Sequence, residues 1–303
     1  FLNIDLVVLE DVKRILVVGA GQMGSQIAVQ SALHGFQVTL NDLSLEILEK
    51  AMLTNRGHLE RRASKGQMTK DDVEAAVARV RLEPDLEAAA RDADFVIEAI
   101  VERLEPKKEC FAKLDRFCPP HAILATNSST LGNSLIAPAT RRPEKCVNMH
   151  FFFPPLMMKL VEIVQGRWTS EETVQIAREV TERIEREPVI LRKEMPGFLV
   201  NRILRAVQNE AYFLLENGVA SFPDIDKGVE LGLNWPMGPF RLADLTGLDI
   251  GYNVRMEVYE KTGDPKDLPP RSLRVRVERG DKGRKTGKGF YDYSKEPPAP
   301  TEE

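Results

Sequence analysis

The most constraining feature of the chain is a glycine loop set between two apolar runs. Lys13-Arg14-Ile15-Leu16-Val17-Val18 is rich in β-branched residues, the pattern of a strand buried on both faces. Gly19-Ala20-Gly21-Gln22-Met23-Gly24 follows directly. Ser25 to His34 then repeats Ile27, Ala28, Ala32 and Leu33 on one side of a helix that Gly35 stops. Phe36 to Leu40 reads as a second strand, ended by Asn41-Asp42. Three such glycines alone fit any strand-to-helix turn. With a strand before, a helix after and an acid closing the second strand, they form a dinucleotide-binding βαβ unit. Gly21 lets the backbone approach a pyrophosphate, and the helix start at Gln22 and Met23 offers it free N–H groups. Asp42 follows Gly24 by 18 residues, close to the spacing of about 20 at which an acid takes the adenine-ribose hydroxyls. A 2′-phosphate there would meet a like charge, and Leu43-Ser44 bring no arginine to offset it. The expected cofactor is NAD.

Strands and helices continue to alternate. Ser44 can cap a helix running to about Lys65, with Gly66 to end it, and Thr69 with Asp72 opens another. Val80 to Leu82, Phe95 to Ala99 and Ile123 to Thr126 read as strands, with helices over Asp85 to Arg91 and Lys107 to Phe117 between them. Val147 to Phe152, Leu160 to Val164 and Pro188 to Leu191 read as further strands, and Glu171 to Glu185 as a long helix. This order predicts an α/β Rossmann-type doubly wound sheet. After Pro196-Gly197 the texture changes to helical patterns over Phe198 to Glu216, Asp224 to Leu231, Phe240 to Leu248 and Ile250 to Lys261. The expectation is a domain over residues 1–195 and an all-α domain over 196–303, with a disordered Pro- and Glu-rich tail from Pro297.

A net charge of −4 gives no global attraction to nucleic acid, so any phosphate site must be local. No apolar run approaches the ~20 residues of a membrane span. Asp5, Glu10 and Asp11 without a basic start disfavour a presequence. The three cysteines, Cys110, Cys118 and Cys146, have no metal-ligand spacing, and their odd number suits a reducing compartment. The chain reads as cytoplasmic, with no metal site.

His150 ends one predicted strand and Glu162 lies on the next, with Pro154-Pro155 between. A return through that turn can bring them together. A carboxylate on an imidazole fixes its tautomer and raises its basicity, which suits a general base for an alcohol proton. On pattern alone, a structural histidine and a solvated or ion-paired surface acid are the commoner reading.

At these residues the chain resembles the L-3-hydroxyacyl-CoA dehydrogenase family. The resemblance rests on His150-Phe-Phe-Phe-Pro-Pro-Leu-Met-Met-Lys-Leu-Val-Glu162, Ala125-Thr-Asn-Ser-Ser-Thr130 and Pro196-Gly-Phe-Leu-Val-Asn-Arg202. Trp235-Pro-Met-Gly-Pro-Phe240 and Gly283-Arg-Lys-Thr-Gly-Lys-Gly-Phe-Tyr291 complete it. It covers nearly the whole chain, in the family's order. It implies that His150 takes the 3-hydroxyl proton, that Glu162 orients it, and that Ser129 and Asn201 hold the substrate. It implies that Glu102 and Lys107 lie near the nicotinamide ribose, and Asn127 is a candidate for that end of the cofactor. Taken singly, Ser129 also fits a turn hydroxyl, Asn201 a helix cap, and Glu102 with Lys107 a surface pair. One departure stands out: the family usually has Asn after His-Phe-Phe, whereas Phe153 stands here.

Arg56, Arg61, Arg62 and Lys65 suit either a phosphate patch or a solvated helix face. The resemblance implies CoA binding there, with Lys65 first and His58 its neighbour. It also implies a homodimer through the helical domain. Two alternatives remain at this stage: a dehydrogenase of a free hydroxy or sugar acid, and a non-enzymatic NAD-binding protein. The Asp42 argument predicts steady-state kinetics that favour NADH over NADPH; the reverse preference overturns the role given to Asp42.

Overall fold

The structure is a computed structural model that describes residues 12–302. The acidic stretch with Asp5, Glu10 and Asp11 lies outside the described residues. The chain falls into two units, one ending at Leu199 and one beginning at Val200.

The first unit contains β1 (Arg14–Val18), α1 (Gln22–Leu33), β2 (Gln37–Asn41), α2 (Leu45–Ser64), α3 (Lys70–Ala78), β3 (Val80–Leu82) and α4 (Leu86–Ala90). It continues with β4 (Phe95–Glu98), α5 (Leu104–Phe117), β5 (Ile123–Thr126), α6 (Asn133–Ile136), β6 (Cys146–Phe151), β7 (Leu160–Val164), α7 (Glu171–Arg183) and β8 (Glu187–Leu191). The strands form one sheet in the order β3-β2-β1-β4-β5-β6-β7-β8. β1 to β6 pair in parallel, β7 runs antiparallel to β6, and β8 is parallel to β7. Alternate residues of the apolar runs supply the two faces. Ile15, Val17, Phe95 and Ile97 pack with Ile27 of α1 and Val180 of α7, while Leu16, Val18 and Val96 pack with Phe111 and Leu114 of α5. Strand order reverses between β1 and β4, which opens a crevice at the strands' C-terminal ends.

Local signals set most helix ends. The Ser44 hydroxyl accepts the Ile47 N–H at the start of α2, and Thr69 with Asp72 makes a reciprocal capping box on α3. α1 begins three residues before the expected Ser25, because the loop's last glycine already lies within the helix. α5 likewise starts at Leu104; Pro106 sits in its first turn, where no N–H is needed.

The second unit contains α8 (Val200–Glu216), α9 (Phe222–Gly232), α10 (Pro239–Thr246), α11 (Leu248–Thr262), α12 (Arg271–Arg279), β9 (Tyr291–Asp292) and β10 (Ala299–Pro300). The sequence pattern passes over α12, because four arginines in nine residues hide its apolar positions. One of them, Arg276, is buried and lies 3.9 Å over the Phe290 ring. The tail is not disordered through Glu302, contrary to expectation. β10 pairs antiparallel with β9, and Thr301 donates its N–H to the Phe290 carbonyl at 2.9 Å. The unit is therefore helical with a small β-ribbon added.

The Gly283–Tyr291 motif is built around Asp244. That carboxylate is fully buried and accepts the N–H groups of Phe290 and Tyr291, each at 2.9 Å, and the Tyr293 hydroxyl at 3.1 Å. A β-carbon on Gly289 would lie 2.1 Å from its Oδ1, and one on Gly283 2.2 Å from its carbonyl oxygen. The motif's glycines are what let the chain approach this acid. Among the described residues no helix is long and apolar enough to cross a membrane, and no group of three or more His, Cys, Asp or Glu could hold a metal ion. Asp244→Asn sets an amide N–H against a backbone N–H or a tyrosine hydroxyl in a dry site. It is expected to cost about 1–3 kcal/mol in denaturant unfolding; unchanged stability would refute this account of the motif.

Candidate active site

The parallel strands bring their C-terminal ends to one edge of the sheet. The glycine loop follows β1 there, Asp42 follows β2, Glu98 ends β4, Asn127 follows β5, and His150 lies near the end of β6.

The glycine loop is shaped by close contacts on two sides and open space on a third. Gly19 has φ 103°, and a β-carbon on it would lie 2.6 Å from the Ala99 carbonyl oxygen. One on Gly24 would lie 1.9 Å from the Gly19 carbonyl oxygen, while one on Gly21 would meet nothing within 4 Å. Gly21 also gives α1 no side-chain cap, and no acid stands in the first turn with Gln22 and Met23. An uncapped helix N-terminus beside open space suits a pyrophosphate. Asp42 accepts the Ala20 N–H at 2.6 Å on one oxygen and the Leu43 N–H at 2.7 Å on the other. These bonds fix the acid beside the loop, with lone pairs left for ribose hydroxyls. The residues present fit NAD.

Beside this loop lies a buried charge cluster that sequence reasoning only half identified. Lys107 is 1% exposed, and its ammonium lies 2.8 Å from Glu98 and 3.2 Å from Glu102. Glu98 is fully buried and also accepts the Ile100 N–H and the Thr126 hydroxyl, each at 2.7 Å. The available signal was an acid closing the otherwise apolar run Phe95-Val-Ile-Glu98. Glu102 gathers the next loop, accepting the Ser128 hydroxyl at 2.5 Å and the N–H groups of Ser129 and Thr130, each at 3.0 Å. Burial pushes the Glu102 carboxyl up, but the Ser128 hydroxyl, the Lys107 charge and Thr130 outweigh it and hold it below its ordinary value. Glu102 and Lys107 thus do pair, but Lys107 is buried, Glu102 is partly exposed and Glu98 is a third partner. Lys107 turns its charge into this cluster.

His150 and Glu162 are opposite one another in the antiparallel β6–β7 register. His150 Nδ1 lies 2.7 Å from Glu162 Oε2, with the two side chains 7% and 0% exposed. Such a bond makes Nδ1 the protonated nitrogen and leaves Nε2 for a reacting group. Phe152 and Phe198 lie with ring centroids 4.6 Å and 5.5 Å from the imidazole. Asn127 Oδ1 accepts the Phe151 N–H at 3.0 Å, tying the end of β5 to the residue after His150. The structure thus gathers Asn127, Ser129, His150 and Glu162 in the first unit, whereas Asn201 stands in the first turn of α8 in the second. Phe153, at the family's Asn position, is 56% exposed beside exposed Met157 and Met158.

The basic segment on α2 is smaller than the sequence suggests. Arg56 is neutralised by Glu60 and Glu74. Arg62 lines a cavity of about 750 Å³ together with Gln30 and Arg186. The remaining exposed cations are Arg61, 2.7 Å from His58 Nδ1, and Lys65 at the helix end.

The family model for the 3-hydroxyacyl-CoA dehydrogenase NAD binding domain matches residues 14–195, and that for the C-terminal domain matches residues 197–293. The chain is 42% identical over 283 residues to the probable 3-hydroxybutyryl-CoA dehydrogenase of Bacillus subtilis, across 93% of this chain and 98% of that one. It is 37% identical over 288 residues to the human mitochondrial hydroxyacyl-coenzyme A dehydrogenase, across 93% of this chain and 91% of that one. The crystal structure of (S)-3-hydroxybutyryl-CoA dehydrogenase from Ralstonia eutropha matches with a TM-score of 0.86 at 36% identity, across 94% of this chain and 100% of that one. This chain belongs to the 3-hydroxyacyl-CoA dehydrogenase family.

Proposed function

We propose that this chain interconverts an L-3-hydroxyacyl-CoA and its 3-ketoacyl-CoA with NAD, using His150 as the general base. The observation that carries this is the 2.7 Å contact of His150 with Glu162 at the same sheet edge as the glycine loop. Bound NAD⁺ supplies the acceptor for the hydride leaving C3. His150 Nε2 takes the 3-hydroxyl proton as the C–O bond becomes a carbonyl. The imidazolium so formed is stabilised by anionic Glu162, and in the reverse direction it returns the proton to the 3-keto oxygen. Ser129 is assigned to the reacting oxygen and Asn201 to substrate binding. Asn127, Glu102 and Lys107 support the nicotinamide end, the latter two by ordering the loop that carries Ser129.

The CoA nucleotide is assigned to Lys65 at the C-terminal end of α2, with His58 and Arg61 as its neighbours. A short acyl group suits the names of the relatives, and β-oxidation of fatty acids is the corresponding pathway. A homodimer through the helical unit is supported by exposed Phe213, Leu231, Leu233 and Ile250. A cytoplasmic location is supported by three free, buried cysteines, whose thiols burial pushes up to about 12.

His150→Gln is expected to lower kcat with acetoacetyl-CoA by about 10²–10⁴ while NADH affinity changes little. Near-wild-type turnover would remove His150 from the chemistry. Lys65→Glu is expected to raise KM for acyl-CoA and leave KM for NADH alone; an unchanged acyl-CoA KM would displace the proposed nucleotide site.

A further inference from the structure

The last residues of the first unit hold an unfavourable backbone. Gly197 has φ 79° and Phe198 has φ 50°, so two consecutive residues are left-handed. That conformation is free for glycine but sterically strained for an aromatic residue. Strain of this kind persists where the surroundings over-determine it. Here the Phe198 ring is 2% exposed and sits 5.5 Å from the His150 ring, and its N–H donates to the Met195 carbonyl at 2.9 Å. The next N–H, that of Leu199, donates to Glu162 Oε1 at 3.2 Å. Glu162 is therefore held on both oxygens: Oε2 by His150 and Oε1 by this turn.

We infer that Phe198 is a positioning residue for the reaction, whose left-handed turn delivers the Leu199 N–H to Glu162 and so locks the His150–Glu162 pair. The argument rests on the proposed role of His150. A donor on Oε1 opposes rotation of the carboxylate about its terminal bond, and so helps fix the plane in which His150 Nδ1 must lie and the direction of Nε2. In the native chain, burial of the ring offsets the cost of the left-handed backbone for an aromatic residue, a cost that Gly and Asn do not carry.

Two substitutions of nearly equal size separate the backbone role from simple burial. Asn tolerates the left-handed conformation and is polar; Leu is apolar and disfavours it. If the turn positions Glu162, Phe198→Asn retains about tenfold more kcat than Phe198→Leu, with KM for NADH alike in both. The proton on His150 Nδ1, seen by NMR in ¹⁵N-histidine-labelled full-length protein, then stays protected from exchange in the Asn variant and not in the Leu variant. Phe198→Gly should follow Asn, and Phe198→Val should follow Leu. NADH binding reports that each variant is folded. Leu equal to or better than Asn overturns the proposal, as does wild-type turnover in all four. The two proposals fail separately. Wild-type turnover in His150→Gln removes the base, whereas a dead His150→Gln with unaffected Phe198 variants removes only the positioning role.

Discussion

Strand β7 runs against β6, and that reversal sets the chemistry of the site. In an otherwise parallel stretch, consecutive strands are joined by long crossovers and contribute only their ends to the crevice. The turn through Pro154 and Pro155 instead returns the chain immediately, so His150 and Glu162 become cross-strand partners. Directly opposed residues on one face have β-carbons about 4.5–5.5 Å apart. That suits a short hydrogen bond between an imidazole and a carboxylate. A slip of one residue would turn one of the pair to the other face of the sheet. The apolar neighbours Met149, Phe151, Val161 and Ile163 pin the register, since each is buried in the same core.

The second constraint is the charge buried at the ends of β4 and β5. Lys107 and Glu98 pair in a dry space with the Glu102 side chain 35% exposed at its edge, and removing Lys107 would leave the Glu98 carboxylate buried without its counter-charge. Such a cluster is a weak source of stability against an apolar alternative, but it has sharp geometric demands. Glu98 accepts from the chain before α5 and from Thr126 on the next strand, and Glu102 collects three consecutive residues of the loop beyond it. Rim pairs such as Lys108–Glu105 and Lys261–Glu257 are solvent-screened and hold nothing in place.

The helical unit solves a similar problem with backbone donors. Asp226 accepts the N–H groups of Phe240 and Arg241 and the Tyr291 hydroxyl, and Asp244 accepts those of Phe290 and Tyr291. Burial pushes both carboxyls up, while these donors pull them down. The two aspartates join the segments around Trp235–Phe240 and Gly283–Tyr291, which are far apart in sequence. Gly283 and Gly289 of the second segment have a steric cause in Asp244.

The sequence by itself determined the βαβ unit, the acid at Asp42 and the helix caps at Ser44 and Thr69, and it allowed the pairing of His150 with Glu162 through a tight return. These are local matters: periodicity, caps, glycines and a short turn all act within a few residues. The sequence reading missed what depends on distant partners. Glu98 looked like one acid at the end of a strand until Lys107 and Thr126 closed around it. Arg271 to Arg279 looked too charged for a packed helix until Arg276 found the Phe290 ring, and the tail looked too polar to order until β9 gave it an edge. Phe198 lay within an expected helix, yet it adopts a left-handed turn because its ring is buried near His150 and the following N–H reaches Glu162. Only the tertiary structure decides such residues, because a buried charge or a strained backbone is tolerated only where distant groups converge to offset its cost.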